Sequence, residues 1–177
     1  KYILVKLKDS VLVVNQSRAS QTVIYNSILT ESSYDFSSQR IAIAPKHFYP
    51  PHISFQLVEL LPWLKHYGIE MEYDKKDGGF VLLSKPVNQT SDECFELAEE
   101  LVADMTNGMQ DLEERKEERA LLISRKLKLS EREPLSTSNM QTLISKLFSL
   151  TDCSISPEGE KVFVKIGIDD IEKMFDL

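Results

Sequence analysis

One stretch, Ile69 to Leu83, narrows the fold more than any other. Ile69, Met71 and Tyr73 alternate with acidic residues, Asp77-Gly78-Gly79 offers a turn, and Phe80-Val81-Leu82-Leu83 returns as an apolar run. Alternation on either side of a glycine-rich turn predicts a β-hairpin. A lone hairpin is marginal in water and needs a covering layer. Helical patterns on both sides supply one. Before it, Ser54 opens a predicted helix carrying Leu57, Leu60, Leu61 and Leu64, Gly68 stops it, and Pro62 is expected to kink or split it. After it, Thr90 or Ser91 caps a helix with Phe95, Ala98, Leu101, Val102 and Met105 on one face, ended by Asn107-Gly108. A charged helix is expected from about Gln110 through Ile123 towards Leu127. The middle of the chain therefore predicts a small α/β unit.

The ends have their own pattern. Ile3, Val5 and Leu7 mark a half-buried strand, Lys8-Asp9-Ser10 a turn, and Val11-Leu12-Val13-Val14 a second strand expected to be buried on both faces. Asn15 to Ser17 offers caps for a helix with Ala19, Val23, Ile24, Ile28 and Leu29 at helical spacing. A serine-rich loop (Ser32, Ser33, Ser37, Ser38) precedes a third predicted strand, Ile41 and Ile43, ending at Pro45. At the far end Ser136 or Ser138 caps a helix with Met140, Leu143, Ile144, Leu147 and Phe148. Pro157-Glu158-Gly159 turns, Val162, Val164 and Ile166 form a strand, and Asp169 opens a short terminal helix ending near Phe175.

Charge divides the chain in the same way. Residues 1–44 sum to +2, residues 45–117 to −8 and residues 118–177 to −1. The expectation is an α/β (α+β) fold of two subdomains: a discontinuous one from residues 1–44 and 118–177, and a smaller α/β one inserted as residues 45–117. His47-Phe48-Tyr49-Pro50-Pro51-His52, with two prolines and two aromatics, is expected to be a rigid linker between them rather than a two-histidine metal site.

A net charge of −7 argues against a broad phosphate-binding surface. No apolar run reaches the roughly 20 residues of a membrane span. Two cysteines, Cys94 and Cys153, build no disulfide framework and no CxxC pair, which points to a reducing, cytoplasmic setting. The chain opens on Lys1 without a signal-like segment and reads as a piece of something longer. A small-molecule-binding α/β regulatory domain would need a glycine-rich phosphate loop or an apolar pocket, and the six glycines include no such loop. Glu113 to Arg119 mixes signs at helical spacing, the pattern of a solvated helix face.

The ordered set of these features resembles the C-terminal domain of the MutL mismatch-repair family. Its endonuclease members carry Asp-Gln-His-Ala-x-x-Glu after an apolar strand, and here that place holds Asn15-Gln16-Ser17-Arg18-Ala19-Ser20-Gln21. The likeness continues at Ile41 to Pro45, through the helix and hairpin from Ser54 to Leu83, at Leu135-Ser136, and at Ser156-Pro157-Glu158-Gly159 with the strand and Asp170-Ile171-Glu172-Lys173-Met174-Phe175 beyond. What the resemblance implies is a dimerisation subdomain from the two ends and an external one from the middle. The whole protein would carry ATPase arms upstream and have DNA and a MutS-type mismatch-recognition protein as partners.

The departures shape the expected function. A divalent metal working on phosphodiesters needs carboxylate, thiolate or imidazole ligands. The family's Asp, His and Glu fall on Asn15, Ser17 and Gln21. Its later Cys falls on Arg125, counted back without gaps from Leu135, and its Cys-Pro-His-Gly motif falls on Ser156 to Gly159. Only Glu158 keeps a metal-binding group, so no metal, no cofactor and no nuclease activity are expected; the rival is a rebuilt metal nuclease using Glu158, Asp152 and other acids. Sliding-clamp binding near Arg40 to Pro45 is weakened too, because the glutamine expected five residues before Pro45 is Arg40, with Gln39 one place off. What remains is association as a homodimer, with Val11, Val13, Val23, Leu29, Met140, Leu143 and Leu147 as interface candidates.

Overall fold

The computed structural model describes residues 1–30, 38–107, 116–131 and 134–175, with backbone alone at 105–107. The first half runs β1 (Tyr2–Lys6), β2 (Ser10–Asn15), α1 (Gln16–Leu29), β3 (Ser38–Arg40), β4 (Lys46–His47) and α2 (Pro51–His66). The second runs β5 (Glu70–Asp74), β6 (Gly79–Pro86), α3 (Ser91–Asn107), α4 (Lys116–Leu127), α5 (Thr137–Phe148), β7 (Phe163–Gly167) and α6 (Ile168–Glu172). Both sheets are antiparallel, so the fold is α+β.

The first unit joins Lys1–Glu31 to Lys128–Leu177. Its sheet has the order β1-β2-β7. Asn15 ends β2 and caps α1, its Oδ1 accepting from the Arg18 N–H at 3.1 Å. Ser136 caps α5 in the same way through the Asn139 N–H. The strands bury Ile3, Leu12 and Val14, α1 buries Ala19, Val23 and Ile24, and α5, which packs on α1, buries Leu143 and Leu147. The second strand is not buried on both faces: Leu12 and Val14 are buried, but Val11 and Val13 are half-exposed. Alternation wins over the continuous apolar run because α1 covers one face of the strand, the face of Leu12 and Val14.

The second unit is Ser32–Leu127. β6 is central, paired with β3, β4 and β5, and Asp74 to Gly79 closes the expected hairpin with Gly78 at φ +80°. α2 and α3 cover its buried residues Met71, Phe80 and Leu82. A capping box fixes the start of α3: the Glu93 N–H donates to Thr90 Oγ1, and the Thr90 N–H to Glu93 Oε2 at 2.7 Å.

Several expectations are corrected here. The boundaries at 44/45 and 117/118 fall inside the second unit, because Ser38–Arg40 pairs with β6 and α4 packs on α3. The third strand forms earlier than expected, at Ser38–Arg40, while Ile41 to Pro45 is not strand and Ile43 is 89% exposed. The His47–His52 segment is no linker between units: Tyr49 is buried and its hydroxyl donates to the Phe95 carbonyl at 2.8 Å. α2 starts at Pro51, where a missing N–H costs nothing, instead of at Ser54. The helix continues through Pro62, and Gly68 follows its end at φ +80°. The serine loop up to Ser37, the Met105 side chain, Gly108, and the charged segment from Gln110 to Arg115 lie outside the described residues.

Candidate functional site

Pairing registers define the outer face of the first sheet. Leu4, Val13 and Val164 stand in one row across β1, β2 and β7, and Lys6, Val11 and Ile166 in the next. Leu4 is 70% exposed and Val164 45%, with Tyr2 exposed along the same side of β1. The first of these rows is apolar from one edge of the sheet to the other. Of the predicted interface residues, Val11 and Val13 lie on this face, and Leu29 and Met140 are half-buried on their helices. Val23, Leu143 and Leu147 are buried in the unit's own core. Sequence reasoning passed over Leu4, although a leucine at the polar phase of a strand is a readable sign of a second apolar face.

The positions aligned with metal ligands gather around the start of α1. Asn15 is committed twice: its backbone N–H donates to the Val162 carbonyl at 2.9 Å while its side chain caps the helix. Gln16 Nε2 donates to the Ser130 carbonyl at 2.7 Å, and Ser20 Oγ accepts the Leu129 N–H at 2.8 Å. Ser17, Ser20, Gln21 and Thr22 are all buried. Arg18 reaches Glu160 Oε1 and the Lys161 carbonyl at 2.8 and 2.9 Å. Ser156 and Glu158 belong to a tight turn in which Ser156 Oγ accepts the Glu160 N–H and Gly159 takes φ +80°. Nearby, Lys1 and secondarily the Asn15 side chain hold the Glu131 carboxyl below the ordinary carboxylate range.

A catalytic divalent ion does not fit this donor set. Two of the gathered side chains, Arg18 and Lys128, are cations, and Lys128 Nζ stands 3.5 Å from Gln21 Oε1 and 3.6 Å from Glu158 Oε2. Among the described residues, no three His, Cys, Asp or Glu side chains group closely enough to hold a metal. Arg125, the position expected to repel a metal, belongs to α4 of the second unit; the cation beside Gln21 and Glu158 is Lys128. No spacing rule points to a lysine 107 residues from Gln21.

In the second unit, Ile41 still bonds the Leu83 carbonyl through its N–H, and the chain then leaves the sheet and returns where the Pro45 carbonyl accepts the Leu82 N–H. A groove of about 500 Å³ lies between α2 and the hairpin, lined by Tyr49, Phe55, Val58 and Tyr73, with Glu59 its charged member. Among the described residues, no helix is long and apolar enough to cross a membrane.

A model of the MutL C-terminal dimerisation domain matches residues 1–135. The chain is similar over its whole length to the DNA mismatch repair protein MutL of Flavobacterium johnsoniae, at 26% identity. It is 23% identical to the MutL proteins of Flavobacterium psychrophilum and Phocaeicola vulgatus over 100% and 99% of its length. It spans only 28–29% of the length of these relatives. With strand, cap and helix in the expected order and most of its residues inside that model, the chain belongs to the MutL C-terminal dimerisation domain family.

Proposed function

We propose that this domain joins two copies of a MutL-like mismatch-repair protein through the outer face of the β1-β2-β7 sheet, without nuclease activity of its own. The observation that carries this is the exposed row Leu4-Val13-Val164 in a chain of a dimerisation-domain family. A two-fold contact presents the same patch from both protomers, so an apolar row finds its complement in itself. Tethering raises the concentration of each upstream ATPase arm around the other to roughly the millimolar range. DNA and a MutS-type protein would be partners of the whole protein, in the cytoplasm. The −8 of residues 45–117 keeps the phosphate backbone away from that part of the chain. A sliding clamp would dock on the exposed Ile43 within Arg40 to Pro45, weakly because Arg40 stands where a glutamine is expected.

Sedimentation at micromolar concentration tests the reading: a dimer is expected, and a strict monomer at high concentration defeats it. Supercoiled DNA incubated with manganese should remain un-nicked. Nicking that disappears with Glu158→Gln would favour the divergent nuclease instead.

A further inference from the structure

We infer that the Lys128 ammonium is a built-in cation that ties α1 to the Ser156–Gly159 turn, in the place where a metal-dependent relative would hold an ion. It extends the non-nucleolytic reading and does not depend on the dimer.

The geometry is a bridge. Lys128 Nζ lies 3.5 Å from Gln21 Oε1 and 3.6 Å from Glu158 Oε2, so one positive charge joins side chains from two separate elements. Gln21 is fully buried, where its carbonyl oxygen benefits from a cationic donor. The rest of the cluster positions the lysine. The next residue, Leu129, is held by its N–H on Ser20 Oγ, and Ser130 is held by its carbonyl on Gln16 Nε2. Residues 129 and 130 are thus pinned along one buried polar stretch of α1, which fixes the point from which the Lys128 side chain starts.

Polarity supports the direction of the exchange. A carboxylate at position 21 and a second at 158 would call for a divalent ion; an amide at 21 with Glu158 leaves one formal negative charge, which one ammonium neutralises. Gln21 Nε2 is buried with no hydrogen-bond partner among the described residues. Turning the amide over would aim that N–H₂ at the ammonium, so the lysine fixes which way Gln21 points, at the cost of an orphaned donor.

The test exchanges the cation. Mn²⁺ binding is followed by electron paramagnetic resonance of the free ion for the wild type, for the double variant Q21E/K128D, and for that variant with E158Q added. Circular dichroism and sedimentation are recorded in parallel, so loss of dimer and loss of this site are read separately. The wild type should show no Glu158-dependent Mn²⁺ binding, and Q21E/K128D should bind at least a hundredfold more tightly, with E158Q reversing the gain. Wild-type binding that E158Q removes, or a folded Q21E/K128D that gains nothing, overturns the proposal. Should the double variant fail to fold, K128M and E158Q decide: each should lower Tm, and the pair together no further than the larger single effect. Fully additive losses would show that the two side chains do not act on one another.

Discussion

Each unit of this chain is built on a small antiparallel sheet with helices on one side, and the sheets differ most on the side the helices leave uncovered. In the first unit that side carries Leu4, Val13 and Val164 in one row, with Lys6, Val11 and Ile166 in the next, so its one lysine stands at the edge strand. In the second, Val81 is paired with Lys46 on one strand and Glu72 on another, and Lys85 is paired with Gln39. Lys46 is further tied to Asp74 and Asp77 at 2.8 and 2.7 Å. Charges flanking a strand oppose association by requiring desolvation, whereas an apolar row gains from it. Two sheets of similar make therefore carry opposite instructions, and the instruction lies in the residues at the outward phase of each strand.

The strongest way to break the contrast is to exchange one residue. Val13→Glu places a charge at the centre of the proposed contact in both protomers. Self-association should weaken at least about a thousandfold, or roughly 4 kcal/mol, as measured by sedimentation across a concentration series. Val81→Glu, the matching change in the second unit, should leave association unchanged. If both variants remain dimeric, the sheet face is not the contact; if Val81→Glu also dissociates the protein, the contrast between the sheets is wrong.

The regular elements were legible in the sequence wherever a period met a cap. Asn15 before α1, Thr90 with Glu93 before α3, and Ser136 before α5 all act as their residue types dictate. The hairpin was legible for the same reason, since Asp77-Gly78 has few other uses. What failed needed tertiary information. Whether Val11 and Val13 are covered depends on how many layers pack on the sheet, and an apolar run does not report that. The Tyr49 segment looked like a linker because its prolines were visible, and the hydrogen bond to Phe95, 46 residues away, was not. The polar identities at Asn15, Ser17 and Gln21 could be read as the loss of metal ligands. That Gln21, together with Gln16 and Ser20, instead belongs to a buried framework holding residues 128–130 could not, because serine and glutamine carry no signature of burial.

A smaller change sharpens the comparison from the side of the second unit. Tyr49 is buried, its hydroxyl donates to the Phe95 carbonyl at 2.8 Å, and burial pushes the phenol's pKa up. Tyr49→Phe keeps the ring contacts with Phe80 and Phe95 and removes only that bond. A loss of about 1 kcal/mol is expected in urea unfolding, confined to amide-exchange protection of the second unit, with dimerisation unaffected. Loss of the dimer in this variant would mean that the two units do not act separately.

The smallest effect concerns the charges that mark the second sheet. Lys46 lies across the turn so closely that a Cβ at Gly79 would come within 2.7 Å of its Cδ, so any side chain there would push the lysine aside. Its ammonium lowers the pKa of Asp74 and Asp77, aided by the N–H groups of Lys76 and Gly79, and the two carboxylates in turn raise that of Lys46. For the aspartates, whose folded values are depressed, the stabilisation is present above their ordinary value of 3.8 and fades as pH falls through the lower folded values. For the lysine, whose folded value is raised, it is complete below the ordinary 10.5 and fades as pH climbs past the folded value. Lys46→Met should move both carboxylates back towards 3.8 in an NMR titration, but not fully, because the Lys76 and Gly79 N–H groups still donate to them. Unchanged carboxylate titrations would show that the backbone alone sets these values. The outer face of the second sheet would then owe its charged character to separate groups, not to a network centred on Lys46.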